Sequence, residues 1–187
     1  MQLSKQGYLE CAQNEGLSLK PYLCSAGVKT IGFGSTVSDI PDLPQWSWEK
    51  EITIEEAVRL YKQGMQKYVN GVNRVLTRLE IPQHQFDALV SVTYNIGVGR
   101  AATKNQKGSG MTNSTFMRLI NAKASNEEIA RAIRLWNKPP EVRSRRAREA
   151  KLFVDGIYTN DGHCDLITVD AKHRPRYSSR IKIFDYF

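Results

Sequence analysis

Residues 15–36, EGLSLKPYLCSAGVKTIGFGST, constrain this chain more than any other stretch. They open with a carboxylate, Glu15, pass through Tyr22 and Cys24, and close on Thr30-Ile-Gly-Phe-Gly. Ahead of them, SKQGYLECAQN reads as a short helix. After Glu15, apolar and polar residues alternate among glycines, which reads as a small antiparallel sheet. Glu15 is therefore expected at the C-terminal end of a helix, facing a hairpin. A turn centred on Gly27 sets Cys24 across from Thr30. The expected arrangement is an acid on one wall, with a thiol and a hydroxyl side by side on the other.

The remaining segments supply a frame for that stretch. Residues 38–51 contain Pro41, Pro44, Trp46 and Trp48 and read as a loop. The tryptophans either pack on the sheet or offer a sugar-stacking surface, and packing is the simpler expectation. Thr53 and Glu56 form a capping box ahead of an amphipathic run to about Leu79, ended by Pro82. Such a helix of about 25 residues is about 37 Å long, enough to join two lobes. Shorter helices follow: residues 83–96; STFMRLINA, capped by Asn113 or Ser114; a run boxed by Ser125 and Glu128; and residues 143–154. The fold class is α+β, with a small hairpin lobe and a larger helical lobe. Residues 1–154 form one domain. Residues 155–187 form an extension in which DLITV and RIKIF are strand-like, as a hairpin or an edge strand.

No apolar run reaches the roughly 18 residues of a membrane span, and the N-terminal residues lack the apolar core of a cleavable signal. The expectation is a cytoplasmic product that reaches its site of action by other means. The net charge of +8 belongs wholly to residues 1–154, with 22 basic and 14 acidic residues; the tail holds five of each. Residues 131–151 are the most basic region and favour an anionic partner, or are simply a solvated helix face. Cys11, Cys24 and Cys164 have no metal-ligand spacing and read as thiols. Cys11 is a buried core residue or a redox partner of Cys24. His163 beside Cys164 offers too few ligands for a metal. No cofactor is implied.

Residues 15–34 resemble the active-site signature of the phage-type lysozymes, glycoside hydrolase family 24. That signature is a Glu, an Asp nine positions on, a Thr six further, then Ile-Gly-x-Gly. Here the positions hold Glu15, Cys24 and Thr30. QFDALVSVTYNIGVG resembles the family's central helix and RRAREAKLF the helix that ends its lobe. With Asn113, Phe116 and Trp136, the resemblance covers about residues 5–154; the tail and residues 38–51 stand outside it.

The resemblance implies a lysozyme-like fold and hydrolysis of the β-1,4 bond between N-acetylmuramic acid and N-acetylglucosamine in peptidoglycan. Glu15 is then the general acid, with a base or nucleophile on the opposite face of the sugar. The departure is Cys24, where most of the family has Asp. A thiol ionises near pH 8.5 against about 3.9 for Asp, so little thiolate exists at pH 7 unless the site favours it. As a base it activates water; as a nucleophile it attacks the anomeric carbon; the sequence leaves both open. Thr30 positions the water or bonds the sulfur. Gly34, Asn95 and Ser114 are carried over as the polar wall for glycan, while Tyr22 and Phe33 are read as packing. The partners implied are peptidoglycan strands and, through residues 131–151, an anionic wall or outer-membrane surface, acting as a monomer. A glycan-binding relative with lapsed catalysis is the alternative, opposed by retention of both Glu15 and Thr30. A nucleic-acid binder lacks a reading helix or an aromatic-basic platform.

Overall fold

A computed structural model describes residues 1–187 except Leu79, on which the end of the expected long helix falls. Among the described residues, six α-helices and one four-stranded sheet give an α+β fold. The chain forms two compact units: residues 1–7 with 67–159, and residues 8–66 with 160–187.

In the second unit, α1 (Lys5–Ala12) contributes all but its first residues and gives way to a turn at 13–15. β1 (Leu17–Leu23) and β2 (Lys29–Gly32) make the antiparallel hairpin. β3 (His163–Val169) and β4 (Pro175–Lys182), both from the tail, complete a sheet of order β2-β1-β3-β4. β3 pairs parallel with β1, Leu17 opposite Leu166 and Ser18 opposite Ile167. The tail is thus built into the same sheet as the hairpin. It is held further by Glu10, a buried carboxylate that accepts the Asn160 N–H at 3.0 Å. Phe187 joins an aromatic cluster with Tyr8, Phe33 and Tyr61, ring centroids 6.0–6.1 Å from it. Leu17, Ile31, Phe33, Leu43 and Ile183 of this unit are fully buried. Each such side chain removed from water contributes about 1.5–3 kcal/mol before ordering costs.

α2 (Ile54–Val75) starts where expected, with the Glu56 N–H donating to Thr53 Oγ1 at 3.2 Å. It ends earlier than expected. The Asn121 side-chain amide donates to the Val75 carbonyl at 2.9 Å and its Oδ1 accepts the Thr77 N–H at 2.9 Å, so a side chain, not Pro82, closes the helix. Its residues 54–66 belong to the second unit and 67–75 to the first.

The first unit is helical. α3 (Gln83–Ile96) is buried from Gln85 to Thr93. α4 (Thr115–Asn121), α5 (Asn126–Arg134) and α6 (Arg143–Asp155) complete it, α5 with both halves of the Ser125–Glu128 capping box formed. α6 corrects the expected basic region. Arg145 and Arg146 are buried rather than on the surface, and both pair with Glu149, whose Oε1 also accepts the Ser91 hydroxyl at 2.7 Å. Arg131, Arg134, Lys138, Arg143 and Lys151 remain exposed.

Candidate functional site

The hairpin's register differs from a turn centred on Gly27. Tyr22 stands opposite Thr30 and Leu23 opposite Lys29, and the Cys24 N–H donates to the Val28 carbonyl at 3.1 Å. Cys24 therefore faces Val28, and the loop is Ser25-Ala26-Gly27. Such three-residue loops place a left-handed residue last, and Gly27 fills that position with φ +72°. The glycine marks the end of the loop, not its centre. Cys24 and Thr30 become diagonal neighbours on one face, a separation their side chains still span.

The loop wraps the sulfur. Burial works against ionisation of Cys24, but it is outweighed by hydrogen bonds from the N–H groups of Val28 and Ala26, the Thr30 hydroxyl and the residue's own N–H. The net effect holds the thiol below its ordinary value. Backbone amides converging on one anion form a nest of this kind. Thr30 is buried, and its Oγ1 donates to the Val28 carbonyl at 2.9 Å.

Glu15 is half-buried in the turn after α1, its N–H donating to the Ala12 carbonyl at 3.1 Å. The chain reverses at Gly16, whose φ is +67° and whose missing Cβ would lie 2.7 Å from Ile167 Cδ1 on β3. Strand β3 thus backs the acid-bearing turn. Tyr22 links the two halves. Its hydroxyl is pushed up to about 12, first by burial, then by the negative charges of Cys24 and Glu15. Tyr22 is buried, as packing requires, yet its hydroxyl senses both groups, and no feature of the sequence marked it for that.

Trp48 stacks on His173, ring centroids 4.1 Å apart, with Lys29 Nζ 4.2 Å above it. The His173 carbonyl accepts the Leu23 N–H at 2.7 Å, so the tail's turn and residues 38–51 together brace the strand end beside Cys24. Trp46 donates to Asp42 at 3.1 Å, with Lys50 over its ring. Both tryptophans are engaged in packing within their own unit. Phe33 is buried in the aromatic cluster, as read.

The other carried-over residues sit as follows. Gly34 follows β2 in a turn with φ +91°. Asn95 is exposed on α3, its Oδ1 accepting from Arg146. Ser114 is buried and is the N-cap of α4, accepting the Met117 N–H at 3.2 Å.

Residues 12–149 match the sequence profile of the phage lysozyme family. The chain belongs to that family. Among relatives, the endolysin of Salmonella phage P22 is 34% identical over 82% of this chain and 99% of its own length. The endolysin of Bacillus phage PZA is 32% identical over 95% of this chain, which spans 63% of that protein. An endolysin structure from Escherichia coli O157:H7 phage FAHEc1 superposes with a TM-score of 0.70 at 31% identity, covering 86% of this chain and 98% of that one. As a phage lysozyme family member, the chain carries Glu15, Cys24 and Thr30 inside the matched span, whereas β3 and β4 lie beyond it.

Proposed function

We propose that the chain is a peptidoglycan-degrading lysozyme of the endolysin type, cleaving the β-1,4 bond between N-acetylmuramic acid and N-acetylglucosamine. The observation that carries this is the hairpin inside the span that matches the phage lysozyme family, which sets Cys24 and Thr30 on one face directly after Glu15. A carboxylic acid and a thiolate divide the work of a general acid and a base. Glu15 gives its proton to the glycosidic oxygen as the C1–O bond breaks. The Cys24 thiolate takes a proton from water, whose oxygen bonds to C1 on the opposite face, inverting the anomeric centre. Thr30 holds the sulfur and the water in register. Glu15 and Cys24 then exchange protons with solvent to reset.

The glycan-binding assignment extends to Gly34, Asn95 and Ser114, the last through the backbone that its cap fixes. Arg131, Arg134, Lys138, Arg143 and Lys151 supply attraction to anionic wall or outer-membrane polymers. The protein acts as a monomer on the wall after release from the cell that made it, and residues 155–187 extend the lysozyme domain. No helix among the described residues is long and apolar enough to cross a membrane.

Turbidity loss of a purified peptidoglycan suspension tests the activity. Reducing-end analysis of the products tests the mechanism: inverted products support Cys24 as base, and retained ones reassign it as nucleophile. Binding of glycan without any loss of turbidity would favour the lapsed relative instead.

A further inference from the structure

A pocket of about 230 Å³ opens beside the proposed acid, with residues 13–16 on one side and Asp165, Ile167, Arg176 and Tyr177 of the tail hairpin on the other. The geometry points to a further saccharide subsite here, built by the tail for a neutral N-acetylhexosamine of the same strand on which Glu15 acts. The inference rests on Glu15 being the acid of a glycan-cleaving site.

Three observations carry it. Tyr177 stands directly across from Ile167 in the β3–β4 ladder, so the two share a face of the sheet. Ile167 packs on Gly16, so that face is fixed one residue from Glu15. Tyr177 is 66% exposed, an aromatic side chain held on a strand and largely open to solvent. A rigid aromatic with few rotatable bonds presents apolar area at low ordering cost, which suits the C–H face of a pyranose. Around it stand planar polar groups suited to hydroxyl and acetamido partners. Arg176 is steadied by Asp170 at 3.2 Å, and Asp165 and Gln13 add an acceptor and an amide.

The charge selects the occupant. With Glu15 protonated as the acid, Asp165 and Arg176 balance in the lining, so the pocket offers no net charge to hold a phosphate or free carboxylate and suits a neutral sugar. Asp165, Arg176 and Tyr177 all follow residue 149, where the match to the family ends. The wall of the subsite built by the tail therefore lies outside the span that matches the family profile.

The test is calorimetric binding of N-acetylglucosamine oligomers of two to six units to the Glu15→Gln protein, in which glycan is bound and not consumed. Tyr177→Ala is expected to weaken binding about tenfold, Tyr177→Phe to stay within about twofold, and Asp165→Ala to weaken it severalfold. Tyr177→Thr, which keeps a strand-forming side chain, repeats the truncation should the alanine variant fold poorly. Equal affinity of folded Tyr177→Ala or Tyr177→Thr protein for every oligomer overturns the subsite, as does an absence of binding by the parent. The two readings separate cleanly. Tyr177-dependent binding with no lysis by the wild-type protein keeps the subsite and removes the catalytic reading. Lysis with Tyr177-independent binding does the reverse.

Discussion

The Thr30 hydroxyl donates to the Val28 carbonyl at 2.9 Å, the same carbonyl that accepts the Cys24 N–H at 3.1 Å. A hydroxyl has one proton to give. While it points at Val28, the Thr30 oxygen can accept from the Cys24 thiol. Once the thiol ionises, the hydroxyl can swing to the sulfur, and the carbonyl keeps its amide partner. Ionisation thus leaves the Val28 carbonyl with a partner. Thr30→Val removes this donor. Because hydrogen bonds to the thiolate lower the Cys24 pKa, their loss raises it. A base is active when deprotonated, so the acid-side limb of the pH–rate profile should move to higher pH, and Thr30→Ser should restore it. An unmoved limb in Thr30→Val would separate Thr30 from the sulfur.

Glu15→Gln should lose about 10²- to 10⁴-fold in lytic rate, the usual contribution of a general acid. The amide is isosteric and the side chain only half-buried, so the thermal midpoint should stay near that of the parent. Parent-like lysis would remove Glu15 from the mechanism.

Iodoacetamide should inactivate the enzyme through Cys24 alone. Cys11 and Cys164 are buried, and burial pushes the Cys164 thiol up to about 12. Peptide mapping by mass spectrometry should find the label on Cys24, and glycan fragments should slow its arrival. Cys24→Ser should be nearly dead, because a hydroxyl is a poor base. Cys24→Asp should stay active with its acid-side limb at lower pH, since a carboxylate ionises several units below a thiol. A Cys24→Ser enzyme as lytic as its parent contradicts the catalytic thiol.

Gly16→Ala should destabilise the protein by about 1–3 kcal/mol, the range of backbone strain added to overpacking. Its φ of +67° disfavours a side chain and Ile167 Cδ1 occupies the space. Ile167→Ala in the same chain should recover the steric part and leave the backbone part. A double-mutant cycle read by urea denaturation measures the difference. Strict additivity would show that β3 does not back the turn.

Glu149→Ala should cost about 3–5 kcal/mol by leaving two buried guanidinium groups without their carboxylate. Its effect should appear in the denaturant midpoint first. A loss below 1 kcal/mol would mean that water reaches Arg145 and Arg146.

Much of this architecture is written in local signals. The Ser125–Glu128 box, the start of α2 at Thr53 and the span of α3 depend on neighbours a turn away, and the sequence displays them. Glu15, Cys24 and Thr30 could be proposed as a site for the same reason, since they share one short stretch. What stayed hidden depends on distant partners. Two strands were visible in the tail, but alternation in β3 does not say that Leu166 will pair with Leu17. A run of arginines does not say which two Glu149 will draw inside. The register slip of the hairpin came from treating Gly27 as a centre, when its positive φ marks the last loop residue. The place of Tyr22 could be read only once Glu15 and Cys24 had coordinates.

The parallel pairing of β1 with β3 also sets an order of events during synthesis. β1 leaves the ribosome before its neighbour β3, which follows α2 to α6 in the chain. Until then the β1 edge has no strand beside it and Gly16 has no Ile167 against it. Contacts this remote in sequence close late, because the intervening loop must first be gathered. A nascent chain arrested before Asn160 should be cut by protease near residues 13–23, and one released at full length should resist. Glu15 is translated well before the strand that holds its turn in place.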